Sequence, residues 1–165
     1  MKVAIVGGSK TSEYLAPFND DDWEIWVHGN QMDRHENRRV SRIFEVHDDL
    51  SEHDERYPQW LSDFNIPLIV SPKFPIKGDH IKVFNRSKAK LMLGGEFLSS
   101  TPAYMMTQAI AEGATNIAIY GVDMAVSNHE YFKQRSAMYY LIGLAVVVGL
   151  FGFVFWRRRG VRKKR

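Results

Sequence analysis

The sequence predicts an α/β fold in which a mostly parallel sheet carries helices on both faces. Short, apolar, β-branched segments recur along residues 1–120, and helical patterns separate several of them. These segments lack the alternation of a half-exposed sheet, which is typical of strands that are buried on both sides. Glycine or polar residues follow most of them, as the turns of an open parallel sheet require. Together these observations indicate one α/β domain over residues 1–135.

The first half of this domain contains four predicted strands and two predicted helices. The first strand ends at Gly7-Gly8-Ser9, and a helix over about residues 11–18 is expected to follow it. The second helix is predicted over residues 57–64, where Trp60, Leu61 and Phe64 recur at helical spacing. The predicted strands cover residues 3–6, 23–27, 42–46 and 67–70.

The second half is less regular. A loop over residues 71–78 leads to a short predicted strand over 81–84, and residues 88–97 favour no single element. Three hydroxyl residues followed by Pro102 predict the start of a helix that ends at Glu112-Gly113. The last strand is predicted over residues 116–120, directly before Gly121 and Asp123.

The C-terminal segment has the pattern of a membrane anchor. Residues 136–156 carry no charged side chain, and residues 157–165 follow with seven Lys or Arg. About twenty apolar residues cross a bilayer as a helix, and a cationic cluster at the end is the expected stop signal. We therefore predict a transmembrane helix over 136–156 and a basic tail over 157–165. The basic tail favours a cytoplasmic C-terminus, which would leave the body outside the cytoplasm, whereas a nucleotide ligand favours a cytoplasmic body. Both orientations stay open, and the cytoplasmic body is preferred. The alternative is that residues 136–156 form the last helix and strand of the domain in a soluble cytoplasmic protein.

Charge and composition exclude several classes of function. The chain has 22 Lys and Arg against 19 Asp and Glu, but the tail holds seven of the basic residues, which leaves residues 1–135 with a net charge of −4. An acidic body disfavours nucleic-acid binding, which needs clustered positive charge. The absence of cysteine excludes disulfides, thiolate zinc sites and cysteine nucleophiles. The histidines and acids of residues 47–55 have no familiar ligand spacing, so no metal site is predicted.

Two segments have the composition of anion-binding sites. Ligands of open parallel α/β sheets bind beyond the carboxyl ends of the strands. At Gly7, Gly8 and Ser9 the backbone N–H groups can approach a phosphate closely, although such turns also favour glycine for steric reasons. The second segment is the predicted start of a helix, where free backbone N–H groups and side-chain hydroxyls can bind an anion. The alternative is that these hydroxyls only cap the helix. The residues of this second segment are Ser99, Ser100 and Thr101.

Three further polar residues at the strand ends complete the predicted site. Asn30 can hydrogen-bond a base or ribose, and Asp123 can accept from a sugar hydroxyl or hold a divalent cation. His47 is the predicted general base because its ordinary pKa lies near neutrality, and Asp123 is the other predicted catalytic residue. Two separated polar sites on one edge suit a nucleotide or a nucleotide-sugar as the ligand.

The same residues carry a resemblance to known proteins. The glycine turn, Asn30 and the segments 99–105 and 109–123 resemble a broad Rossmann-like group. That group includes the family 42 sialyltransferases, archaeal pterin pyrophosphokinase-like proteins and uncharacterised tailed-phage proteins, and residues 130–145 are most similar to the phage members. The resemblance implies a Rossmann-like domain that binds a nucleotide, and a glycosyl- or pyrophosphoryl-transferase where it is an enzyme. The alternative it leaves open is a non-enzymatic phage protein that binds a host partner.

Overall fold

The computed structural model describes residues 1–93, 98–123, 135–136, 138–143 and 145–146, and of Leu93 only the backbone. Within these residues six strands form one sheet. The strands are β1 (Lys2–Val6), β2 (Trp23–His28), β3 (Arg42–Glu45), β4 (Leu68–Val70), β5 (Ile81–Val83) and β6 (Asn116–Tyr120). The helices are α1 (Tyr57–Asp63), α2 (Arg86–Leu93) and α3 (Thr101–Ala111), with 3₁₀ helices over Glu13–Leu15 and Gly29–Arg34.

The sheet has the order β5-β4-β3-β2-β1-β6, and every pairing in it is parallel. The chain therefore builds the sheet outward from β1 to β5 and then returns to add β6 on the other side of β1. Parallel strands put all their carboxyl ends at one edge, so the residues after β1 and β6 emerge side by side. The α/β class and the parallel sheet predicted from the sequence are confirmed.

Two apolar clusters cover the two faces of the sheet. Val3, Ile5 and Trp26 point to one face, where α2, α3, Met138 and Leu141 pack on them. Ala4 and Ile25 point to the other face, which α1 and the two 3₁₀ helices cover. This alternation follows from the two-residue repeat of a strand, and burial on both faces explains why the strands are apolar throughout.

The helix predicted over residues 11–18 is wrong. The structure forms only the 3₁₀ turn Glu13–Leu15, and Ala16 is already extended, with φ −62° and ψ 144°. Pro17 follows Ala16, and a proline disfavours helical backbone at the residue before it. The Ser12 hydroxyl accepts a hydrogen bond from the backbone N–H of Gly121 at 2.8 Å, so this segment is bonded to the end of β6.

The apolar C-terminal run contributes to the core of the domain. Residues 135–136, 138–143 and 145–146 are helical, and Met138 and Leu141 are 3% and 0% exposed within the cluster that also contains Val3 and Trp26. Within the described residues no helix is both long and apolar enough to cross a bilayer. Residues 147–165, with the end of the predicted span and the whole basic tail, lie outside the described residues, so the membrane anchor stays a prediction.

Candidate functional site

The loops that follow β1 and β6 are bonded to each other at the carboxyl edge of the sheet. The backbone N–H groups of Gly7 and Ser9 donate to the carbonyl oxygens of Tyr120 and Gly121, each at 2.8 Å. A Cβ at Gly7 would collide with the Gly121 carbonyl oxygen, and Gly121 itself has a φ of +63°. Glycine is therefore required at both positions, because the two backbones approach too closely for a side chain.

Replacing Gly7 by alanine should destabilise the protein. We expect a loss of about 1–3 kcal/mol in the free energy of unfolding, because the new methyl group must push apart two bonded backbones. Urea unfolding of the full chain measures this loss. Gly143→Ala is the control, since a Cβ at Gly143 would meet nothing within 4 Å and that residue is helical. Equal stability of the two variants would contradict the close approach.

Asp123 is held at this junction by two hydroxyl groups. Ser9 Oγ donates to Asp123 Oδ2 at 2.5 Å, and Thr11 Oγ1 lies 2.7 Å from Oδ1 and 2.6 Å from Oδ2. The Ser9 hydroxyl, and then that of Thr11, hold the pKa of the Asp123 carboxyl below its usual range. The carboxylate is exposed, so it stays ionised and offers acceptor oxygens to a ligand in the crevice.

This arrangement disfavours a phosphate at Gly7, Gly8 and Ser9. Two of the N–H groups that a phosphate would use already donate to the carbonyl oxygens of Tyr120 and Gly121, and an ionised carboxylate lies against the Ser9 hydroxyl. In place of the predicted helix the chain forms a three-residue 3₁₀ turn, which is too short to add the positive potential of a helix N-terminus. The glycines thus allow two loops to pack closely. The group at this junction that can still accept hydrogen bonds from a ligand is the Asp123 carboxylate.

A cavity of about 450 Å³ opens beside Asp123. This volume lies within the usual range for small-molecule sites, about 300–1,000 Å³. Arg135 contributes a guanidinium group, whose Nε donates to the Tyr139 hydroxyl at 3.2 Å, and the rest of the wall is apolar. The lining residues are Ile119, Val122, Asp123, Arg135, Met138, Tyr139 and Ile142.

Asn30 lies one strand away from this junction, after β2. Its side-chain oxygen accepts from Gln31 Nε2 at 2.8 Å, and the Gln31 side chain fills the space against Gly8. Its backbone N–H donates to His28 Nδ1 at 3.2 Å. Asn30 is exposed and borders the glycine turn, so the structure brings it towards the crevice but gives it no direct contact with Asp123.

The residues Ser99, Ser100 and Thr101 lie at the start of α3, at the end of the sheet near β5 rather than near β6. One turn further along α3, the Tyr104 ring packs edge-on against Phe84, just after β5, at 4.8 Å between centroids. The Ser100 and Thr101 hydroxyls are buried and make no hydrogen bond to the residues that the structure describes, and the Ser100 side chain does not cap the helix. The structure therefore does not join this segment to Asp123 in one site.

A second polar cluster lies beyond β2 and β3. The Glu45 carboxylate is fully buried and accepts from the Tyr57 hydroxyl at 2.5 Å, from His47 Nδ1 at 2.7 Å and from the His47 backbone N–H at 3.2 Å. The His28 and His47 rings lie 5.4 Å apart, and the His53 ring stacks on Tyr57 at 4.0 Å. This cluster contains the predicted base His47.

Burial and hydrogen bonding shift the pKa values of Glu45 and His47 in opposite directions. Burial opposes ionisation of Glu45, but hydrogen bonds from His47 and Tyr57 outweigh it and lower the pKa of this carboxyl. The hydrogen bond to Glu45 raises the pKa of His47 above its usual value. Burial lowers the pKa of His28 to about 4. Two neighbouring histidines thus differ in charge state, one favouring the protonated form and the other the neutral form.

The two predicted catalytic residues are too far apart to act on one reacting atom. Asp123 follows β6 and His47 follows β3, and β1 and β2 lie between these strands. Neighbouring strands lie about 4.8 Å apart, so three spacings separate the two residues by ~14 Å. Asp123 and His47 therefore belong to separate clusters, and the catalytic role of each stays a prediction.

Glu45 and Tyr57 were not predicted as site residues. A carboxylate within the apolar strand Arg-Ile-Phe-Glu-Val was a detectable signal, because a charged residue in a doubly buried strand needs a partner. For Tyr57 the sequence predicts only a place in the second helix. Residues 124–134, which include His129, lie outside the described residues.

Within the described part of the chain, no group of three or more His, Asp or Glu side chains has the geometry to hold a metal ion. Comparisons with known proteins add no further assignment. No protein-family model matches the chain, and no curated protein or solved structure is significantly similar to it.

Proposed function

We propose that this chain binds a nucleotide or a nucleotide-sugar in the crevice beyond β1 and β6. The observation that carries the proposal is the cavity of about 450 Å³ at this point, with Asp123 and Arg135 in its wall. The strand order reverses between β1 and β6, and in open α/β sheets ligands bind at such a reversal. An apolar cavity with a few polar groups is the general form of a small-molecule site.

Each part of the wall matches one part of such a ligand. The apolar side chains and the Tyr139 ring offer surfaces for a planar base, since aromatic faces stack on aromatic rings. Asp123 already accepts from two hydroxyl groups, and it can accept in the same way from a ribose or sugar hydroxyl. The Arg135 guanidinium can pair with a phosphate through two parallel N–H donors. Glycosyl or pyrophosphoryl transfer is the reaction that the sequence resemblance adds to this proposal.

Binding of CMP, CDP, GTP and nucleotide-sugars to the full chain tests the proposal by calorimetric titration. We expect at least one of them to bind, and Asp123→Asn to weaken that binding by about tenfold or more, because it removes a charged acceptor worth about 1.5–3 kcal/mol. Asp63→Asn, at an exposed position in α1, is the matched control and should bind as the parent does. Binding of none of these ligands, or equal binding by Asp123→Asn, would overturn the proposal.

A further inference from the structure

Three of the six histidines of the chain gather around the buried Glu45 carboxylate, outside the proposed nucleotide site. Gly29 leaves space for this cluster because it has no side chain. A Cβ on Gly29 would lie 2.8 Å from the Tyr57 hydroxyl and 2.9 Å from Glu45 Oε2, so a side chain at this position would displace the pair. The Tyr57 and Glu45 side chains thus pack against the backbone of Gly29. Their geometry is fixed by β3, α1 and the 3₁₀ helix that begins at Gly29.

Glu45 fixes the orientation of His47. An ionised carboxylate only accepts hydrogen bonds, so the proton between Glu45 Oε1 and His47 Nδ1 belongs to the imidazole. Neutral His47 then has its lone pair on Nε2, for which the described residues offer no hydrogen-bond partner, and the side chain is 51% exposed. A carboxylate that orients a histidine through Nδ1, with Nε2 free for proton transfer, is the arrangement that general-base catalysis uses in acyl transfer.

His28 complements His47 with the opposite tautomer. Its Nδ1 accepts from the Asn30 backbone N–H at 3.2 Å, so in the neutral ring the proton lies on Nε2. Burial lowers the pKa of His28 to about 4, which keeps the ring neutral at physiological pH. A free base and a neutral N–H donor therefore lie on adjacent rings, 5.4 Å apart. Such a pair can accept one proton while it stabilises a nearby developing oxyanion.

The charges around His47 select the class of substrate. Glu45, Asp48 and Glu52 lie close enough to favour its protonated form. Arg86 neutralises Asp48 through a bidentate pair with distances of 2.8 and 3.1 Å. Among the described residues no Lys or Arg forms a salt bridge with Glu45 or Glu52, so when His47 is neutral these two carboxylates repel phosphates and carboxylates. The cluster therefore favours a neutral substrate.

We propose that His47 and His28 form a hydrolytic site for neutral carboxylic esters, with Glu45 and Tyr57 as positioning residues. Water attacks the ester carbonyl carbon while His47 Nε2 takes one of its protons, and the carbonyl electron pair moves to the oxygen, which accepts a hydrogen bond from His28 Nε2–H. The tetrahedral intermediate then collapses and the bond to the alcohol oxygen breaks. That oxygen takes the proton from His47, so the products are a carboxylic acid and an alcohol. This inference stands apart from nucleotide binding and does not depend on it.

Hydrolysis of p-nitrophenyl acetate by the full chain tests the site between pH 5 and 9. The rate should rise with pH as His47 loses its proton, and His47→Gln should lower it by about 100-fold or more. His80→Gln is the matched control, because His80 is partly buried and its ring contacts a serine hydroxyl rather than a carboxylate. An equal rate in His47→Gln and the parent chain, or an equal loss in His80→Gln, would refute the proposal.

The midpoint of the pH profile tests the two positioning residues. Glu45→Gln should move it down by about one pH unit or more, because the charge that favours protonated His47 is gone. Tyr57→Phe should move it up, because Glu45 loses a competing donor and interacts more strongly with His47. His28, His53, Asp48 and Glu52 also face this cluster and are unchanged in both variants. A merely structural role would not give opposite shifts. If Glu45→Gln does not fold, an unchanged midpoint in Tyr57→Phe rejects the positioning roles of Tyr57 and Glu45.

Discussion

Leu141→Ala is expected to lower the free energy of unfolding of the full chain by about 2–5 kcal/mol. Leu141 is fully buried in the cluster that covers one face of the sheet, together with Met138, Val3 and Trp26. Removing three carbons there costs the transfer free energy of those atoms and leaves a cavity that the surrounding strands cannot close. Urea unfolding followed by tryptophan fluorescence measures the loss, since Trp26 lies in the same cluster.

Ile142→Ala is the control for this experiment. Ile142 is the next residue of the same helical segment, but it is 41% exposed. Its truncation should change the free energy of unfolding by about 0.5 kcal/mol or less, because exposed positions rarely contribute more. Similar small losses in both variants would show that this segment does not belong to the core of the domain. A large loss confined to Leu141 means that the apolar run begins inside the fold, whatever residues 147–165 do.

Acidification from pH 6.5 to pH 4 is expected to cost about 3 kcal/mol of stability through His28 alone. Burial lowers the pKa of this residue from 6.5 to about 4 in the folded protein. Between these two values the unfolded chain binds the proton more readily than the folded one, so stability rises with pH across this window. The contribution of His28 is fully present above pH 6.5 and is lost as the pH falls towards the folded pKa.

His28→Asn isolates this contribution. His28 precedes the 3₁₀ helix and accepts from the Asn30 N–H, and asparagine can retain that capping bond without titrating. Burial also lowers the pKa of His35, and hydrogen bonds lower that of Glu45, so the parent chain has further acid-sensitive groups. The test is therefore the difference between the two chains in urea unfolding at pH 6.5 and pH 4. Parallel pH dependence in both chains would contradict a neutral, largely buried His28 with a lowered pKa.

The strands were predictable from the sequence because their signal is local. A strand buried on both faces must be apolar along its whole length, and β-branched runs such as residues 3–6 and 67–70 satisfy this without any knowledge of their neighbours. The helix α3 was predictable for the same reason, through its hydroxyl residues and Pro102. For α2 a signal existed and was missed, since the Asn85 side chain accepts from the Lys88 N–H at 2.8 Å as an N-terminal cap.

Polar residues near the strand ends were less predictable because their partners lie far away in the chain. Ser9 and Thr11 bond to Asp123, more than a hundred residues later, and Ser12 bonds to Gly121. These tertiary bonds hold a segment that forms a 3₁₀ turn, where the sequence predicted an α-helix. Glu45 was detectable as an acid in an apolar strand, but only the tertiary structure shows that the Tyr57 and His47 side chains hydrogen-bond to its carboxylate.

The sequence by itself determined the class of the fold, the six strands and the gathering of polar residues at their carboxyl ends. Only the tertiary structure decided which of those residues meet. Hydrophobic periodicity is set by residues a few positions apart, whereas strand order depends on how the whole chain packs. The order β5-β4-β3-β2-β1-β6 brings Ser9 to Asp123 and keeps His47 three strands away. The residues predicted to form one site therefore lie in two places. Asp123 is exposed beside a cavity, and the buried Glu45 carboxylate accepts a hydrogen bond from His47.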